Sequence, residues 1–512
     1  MSEDAFELKK EPFTVELKDA AYDLRNLPAD HYRLAQKCVI KDDTISMVPP
    51  EIGRFENLEV LEIRSGRRIE TLPPEIARCQ KLRQITFFAG NVFEYFGARF
   101  CGGARPQQSF NRLPAEIGEL HALEEIYFNL TNISTLPAEI GKLKNLRVLN
   151  LYGCKITTLP EEIAQLANLN SLNLSRNPLK KLPEAITLLP KLENLELDDT
   201  LLKNLPISIG KLTALRSLSL EGVPLKSLPA EISGLHNLRY LSIKNARLKR
   251  LPASIGALKK LRQLRLEHLP LKELPAEIGN LKNLQELCLN DTRITRLPET
   301  IGGVATTLLE LRLNDNARLK ILPTEIGTLT ALASLYLKNS PLKTLPASFS
   351  NLYKLETLNI SGSRSPSLFA EIGKMPGLKE LNWSNSQLSS LPADIEKFSG
   401  LASLTLHDNC LAQFPPTILR LNNLGELDLA NNRLTALPPE IAKLSQLYNL
   451  DVSGNQIAAF PEEAGKLEKL RRLNVTGNPL RSLPGPILEK SCKIIHWQGD
   501  TELELTGYNW SS

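Results

Sequence analysis

Leucine followed by proline returns along this chain at a fixed interval, and a short fixed interval dictates a stack of equal supersecondary units rather than one closed core. The residue before the proline falls at 113, 136, 159, 182, 205, 228, 251, 274 and 297, and then at 322, 345, 391, 414, 437, 460 and 483. Leu368 keeps the spacing but is followed by Phe369 instead of proline. Leu72 and Val48 extend the series upstream, and the step is 23 throughout except for 25 into Leu322, 41 into Leu113 and 24 into Leu72. Of the 512 residues 42% are apolar and only 5% aromatic, so the layers must be filled by aliphatic side chains, mostly leucine.

One unit reads LPAEIGKLKNLRVLNLYGCKITTLPEEI from Leu136. Leu146, Leu149, Leu151 and Ile156 take the inward positions, and the alternation around Leu149 and Leu151 predicts a short strand whose intervening residues face outward. Proline then fixes φ and ends the strand, and the IGxLxxL spacing suits one short helical or 3-10 turn. This is the L-x-x-L-x-L-x-x-N/C-x-L pattern, and the chain is identified as a leucine-rich-repeat protein. The expected fold class is α/β: a curved, horseshoe-like solenoid with a concave parallel sheet and short convex segments. The expected organisation is a helical N-terminal cap over 1–46, the repeat array over 47–487 with an insert near 90–108, and a C-terminal cap over 488–512. Two extra residues are expected near Ala317.

The consensus LPxEIGxLxxLxxLxLxxxxLxxLP resembles that of Ras-pathway scaffold leucine-rich-repeat proteins, of plant intracellular Ras-group relatives, and of type III effectors of plant pathogens. The resemblance implies a non-enzymatic scaffold that binds a protein on its concave face in intracellular signalling, with a small GTPase-type partner and a cytoplasmic location. An alternative it implies is a bacterial effector secreted into a host cell.

Composition excludes other classes. The formal charge of +5 comes from 62 basic and 57 acidic residues, which argues against bulk nucleic-acid binding. No run of about 18 uncharged apolar residues and no signal-type N-terminus occurs, so a soluble, unsecreted protein without a transmembrane segment is expected. Seven dispersed cysteines fit reduced thiols. No metal-ligand spacing, phosphate loop or nucleophile elbow is found, so no cofactor, metal or catalytic residue is assigned.

Candidate binding residues come from the outward strand positions. Arg216, Arg239 and Arg262 recur at one equivalent place in three consecutive repeats, joined by Tyr240, Lys244, Arg265 and His268. Glu193, Glu196 and Asp198 border them on one side and Asp291 on the other. Like charges on neighbouring strands repel, so this basic centre either pairs with flanking acids or recognises a partner of complementary charge. From about residue 333 onward the outward face reads as largely Ser, Asn, Thr and Gly.

Three further features stand out. The 41-residue step holds an aromatic cluster in which Tyr95, Phe96, Arg99 and Phe100 form either a local mini-core or a secondary contact for a partner. Lysines at 180, 203, 226, 249, 272, 320 and 343 make a ridge two residues before the marker, interrupted at Thr295. Either this ridge is simply solvated, or it meets an anionic surface, nucleic acid or membrane. Finally, Asn177, Asn316, Asn409, Asn432, Asn455 and Asn478 hold the turn position of the repeat, whereas Val223, Ala246 and Leu269 replace it in three successive units.

Overall fold

The prolines do what their chemistry requires. In a computed structural model of the chain, Pro137, Pro160 and Pro206 are each extended, with φ between −66 and −68°, and a five-residue 3-10 turn follows each one. The described residues are 13–18, 24–41, 44–64, 68–88, 109–375, 377–488 and 494–496. Where Phe369 replaces proline, the return segment differs: a three-residue 3-10 turn, Pro366–Leu368, leads straight into an α-helical turn, Phe369–Ile372. Phe369 supplies the backbone N–H that proline lacks, so α-type hydrogen bonding is open to it.

The chain divides into two units, residues 1–264 and 265–512. In the first, short strands pair in parallel with one repeat between partners: Val148 opposite Ser171, Ser171 opposite Asn194, Asn194 opposite Ser217 and Ser217 opposite Tyr240. Strand Thr14–Leu17 pairs with Lys37–Ile40 in the same way, so the N-terminal region contributes two strands as well as the short helix Ala29–Leu34. In the second unit, pairing runs in parallel from Glu286–Cys288 to Ile494–His496. There the two extra residues are shared out. Glu286 stands opposite Glu310 and Glu310 opposite Ser334, so each interval is one residue long. One residue lengthens the 3-10 turn Glu299–Val304 to six residues, and the other lies in the loop around Ala317. Only the second stands where the sequence placed both.

The leucines that mark the repeat are the core. Leu146, Leu149, Leu151 and Ile156 are fully buried, as are their equivalents up and down each unit. A single layer exposes its leucines on two flat faces, and burying a leucine stabilises by about 1.5–3 kcal/mol, so the layers hold only as a stack. The return turns pack closely: a Cβ on Gly141 would lie 2.6 Å from the carbonyl oxygen of Glu162 in the next repeat, which explains glycine in the IG pair.

Polar side chains fix one layer to the next. Asn432 is buried; its Nδ2 donates to the carbonyls of Leu406 and Leu429 at 3.0 Å, and its Oδ1 accepts from the N–H of Leu411 at 3.0 Å. Asn177, Asn316, Asn409, Asn455 and Asn478 repeat this arrangement. Thr200 and Ser340 satisfy one carbonyl each, at 2.8 and 3.0 Å, where the asparagine is missing. Val223, Ala246 and Leu269 are buried and can satisfy none. A second column, unforeseen from the sequence, runs ahead of the strands: Asn145, Asn168 and Asn237 donate to carbonyls of the preceding repeat at 2.8–2.9 Å. In the repeats from Leu130 onward the turn after the strand is left-handed, with φ of +57° at Arg176, +52° at Asp199, +71° at Gly222 and +55° at Asn245.

Two outcomes follow from the asparagine column. Asn432→Ala strips three buried backbone groups of their partner and should destabilise by about 3 kcal/mol, against about 1 kcal/mol for Thr200→Val, as read by urea denaturation. The amides of Leu225 and Leu248 should exchange faster than those of Leu434 and Ile457, which Asn455 and Asn478 cap, in hydrogen-exchange mass spectrometry, and equal protection would refute the ladder's role.

Candidate protein-interaction surface

In the first unit Arg216, Arg239 and Arg262 form a row, because the N–H of Arg239 donates to the carbonyl of Arg216 and that of Arg262 to Arg239, both at 2.8 Å. They lie at the entrance to the strands Ser217–Glu221, Tyr240–Lys244 and Gln263–Glu267 rather than along them, so they line one edge of the sheet. All three are exposed. Neighbouring strands are about 4.8 Å apart, which holds the chain bases of these arginines close.

Their fates differ. Arg216 meets Glu193, one repeat earlier in the same row, at 3.3 Å. Among the described residues no carboxylate pairs with Arg239 or Arg262. Further along this edge Arg83 meets Glu124 at 3.7 Å. A shallow depression lined by Glu124, Arg147, Asn170, Lys191 and Glu193 opens at the same edge, so the row begins with both charge signs and ends with positive charge alone.

The acidic margin is built where the strands end and the turns after them begin. Glu196 accepts from Asn173 Nδ2 at 2.7 Å. Asp198 accepts from Ser219 Oγ and from the N–H of Glu221, both at 2.7 Å. Glu221 in turn accepts from Ser242 Oγ at 2.8 Å. Burial raises the Asp198 carboxyl above its usual range; the two donors oppose this, and the charges of Glu221 and Asp199 add to it. Ser219 and Ser242 thus hold the margin in place. Sequence reading overlooked them, because serine on a strand looks like solvated surface. Tyr240 and Lys244 are half-buried at the two ends of one strand.

The second unit neutralises its share of the predicted centre internally. Arg265 is bidentate on Glu286, at 2.8 and 3.3 Å. His268 and Asp291 are not strand residues: both occupy the left-handed turn, with φ of +54 and +49°, and His268 Nδ1 lies 2.8 Å from Asp291 Oδ2. Arg312 stands 4.6 Å over the ring of Tyr336. Past residue 333 the outward strand positions are largely Ser, Asn and Thr, with Glu380, Glu426, Asp428 and Asp451 set among them. Asp428 is raised by burial, with Asp451 adding to the effect and His407 and a backbone donor opposing it.

Tyr95, Phe96, Arg99 and Phe100 lie outside the described residues. At the two ends of the long step, Phe87 and Phe110 are fully buried and stack at 4.4 Å, and Phe110 contacts Phe128 at 5.5 Å. These two aromatics of the cluster therefore belong to the repeat core. Among the described residues no group of His, Cys, Asp and Glu could hold a metal ion, and no helix is long and apolar enough to cross a membrane.

Comparison with known proteins agrees with this geometry. A leucine-rich repeat region model matches residues 138–220, 206–269 and 254–321, and a leucine rich repeat model matches residues 422–480. No match was found among curated proteins. A leucine-rich-repeat protein of Leptospira interrogans is 30% identical in solved structure, covering 90% of this chain and 100% of that one, with a TM-score of 0.60. The fold is shared with a plant peptide hormone receptor in complex with its peptide (24% identity, 96% of this chain and 82% of that one, TM-score 0.62). It is shared also with the Drosophila Toll–Spatzle complex (20% identity, 95% and 68%, TM-score 0.71). Leucine-rich repeats are typically protein-interaction domains and generally non-catalytic. With its repeat spacing, parallel pairing, 3-10 returns and a match to the Leptospira protein over 90% of its length, this chain belongs to the leucine-rich-repeat family.

Proposed function

We propose that the chain is a non-enzymatic scaffold that binds a protein partner through the strand-entry edge and outward face of its first unit. The observation that carries this reading is the pair Arg239 and Arg262, exposed on adjacent repeats and without a carboxylate among the described residues, beside an Arg216 that Glu193 already neutralises. Repulsion between neighbouring guanidinium groups is relieved when an acidic surface approaches, so the complementary partner carries carboxylates. Arginine and tyrosine are the side chains that most often anchor interfaces, and Tyr240 stands next to Arg239 in the chain. Glu196 and Asp198, held by Asn173 and Ser219, set the register by repelling the partner's acids on that side. The neighbours that bind protein or peptide ligands support a ligand of this kind. Intracellular signalling, with a small GTPase-type partner, is the setting that the repeat class implies.

Surface ion pairs contribute about 0–1 kcal/mol, so Arg239→Glu with Arg262→Glu should leave the melting temperature within about 2 °C of the parent by calorimetry. The same double variant should lose the protein captured from native lysate by the parent at physiological salt. Undiminished capture by a variant that also reverses Arg216 would reject this surface.

A further inference from the structure

The opposite edge of the first unit has a property that the scaffold reading does not use. Where the strands hand over to their return turns, five successive repeats read KITT (155–158), PLKK (178–181), LLKN (201–204), PLKS (224–227) and RLKR (247–250). Every charge in these segments is positive. Lys180, Lys203, Lys226 and Lys249 hold one register position in consecutive repeats; all four are exposed, and among the described residues none forms an ion pair. Two carboxylates close by in the chain are already engaged. Asp199 is held by Arg176 at 3.3 Å, and Glu184 on the return turn accepts from Ser208. In the second unit the pattern breaks at once, because Glu273 follows Lys272.

A second observation shows which anion suits this edge. Leu201 lies within the basic row and is 46% exposed, although its two neighbours in the chain, Thr200 and Leu202, are buried. It borders a shallow depression lined also by Lys155, Arg176, Asn177, Pro178 and Asp199, whose carboxylate is the one that Arg176 holds. An apolar side chain in a file of ammonium groups matches an interface with phosphate outside and hydrocarbon beneath, since lysine stems reach along apolar surface while their heads stay at the charged level. Nucleic acid fits less well. The row presents no aromatic side chain on which bases could stack, and lysine point charges outnumber the planar arginine forks that seat phosphates bidentately.

We propose that this edge of the first unit docks on an anionic lipid surface, with Lys180, Lys203, Lys226 and Lys249 at the phosphate level and Leu201 entering the acyl boundary. Docking there leaves the strand-entry edge, at the other end of the same strands, open to its protein partner. A lysine near an anionic bilayer contributes about fivefold in affinity, so four of them suffice for reversible recruitment without any membrane-spanning element.

Vesicle co-sedimentation of the full chain tests this. Phosphatidylcholine vesicles are compared with vesicles containing phosphatidylserine at about 30% of the lipid. The expected result is binding to the anionic vesicles alone, weakening steeply with added salt. Binding should fall by at least about a hundredfold for K180E/K203E/K226E/K249E. It should fall less for the neutral set K180Q/K203Q/K226Q/K249Q, and several-fold for Leu201→Ser. Absence of binding to anionic vesicles by the parent overturns the proposal, as does equal binding by the charge-reversed variant with an unchanged melting curve. Capture of polyglutamate or of a DNA duplex in place of the vesicles also overturns it, assigning the edge to an acidic protein or to nucleic acid. Because the reversed lysines are remote from Arg239 and Arg262, lysate capture measured on the same variants separates failure of this inference from failure of the scaffold reading.

Discussion

Parallel pairing of strands one repeat apart is the constraint on which everything else rests. A parallel ladder needs both strands at matched height, and a slip of one residue would send every leucine of a layer to the solvent face. The buried asparagines prevent such a slip. Each one ties carbonyls of its own repeat and the preceding one to a single amide group, so the vertical position of a layer is set by polar geometry while its stability comes from leucine burial. Apolar packing alone is tolerant of small displacements; a hydrogen-bonded column is not.

This division of labour frees the surface. Once register is fixed from within, an outward side chain at a given repeat position has its equivalents directly above and below, and charge can be arranged in rows. The first unit has two such rows at opposite ends of its strands, one of arginines and one of lysines. They differ in chemistry as well as place. The arginine row borders acids, serine-held carboxylates and a tyrosine, a mixture suited to selecting one partner. The lysine row has no acids and one exposed leucine, a composition suited to a surface defined by charge density rather than by shape.

The repeat, its strand and its 3-10 return were legible because proline, leucine and glycine each answer a single geometric demand. The asparagine column could be read for the same reason: only that side chain both donates and accepts at the turn. The column at Asn145, Asn168 and Asn237 escaped notice, since Lys191, Ala214 and Lys260 share its position and blur the pattern. Counting from proline to proline gave the two extra residues in the second unit but not their places, which only strand register could separate. The arginine row was found by spacing, yet its location at the strand entrance depended on where the ladder begins, and alternation alone does not say that. His268 looked like a strand residue because histidine signals a left-handed turn more weakly than the Gly, Asn and Asp found at the equivalent places. That Arg216 and Arg265 are neutralised while Arg239 and Arg262 are not follows from side-chain geometry across repeats, which lies beyond sequence periodicity.

The stacked phenylalanines bring out one more property of the array. Phe87 lies one residue from the end of the strand Gln84–Phe88 and Phe110 resumes the inward pattern of the return, and the two rings stack on each other. The core is thus sealed at the very point where chain has been added, and Asn111 and Asn132 resume the backbone pairing on schedule, with bonds of 3.0 and 2.8 Å to Glu70 and Phe110. Doubling the length of a loop whose ends are already held costs only about 0.6 kcal/mol in closure entropy. Chain has thus been added between these rings while the packing and the backbone pairing of the repeats on either side continue unbroken.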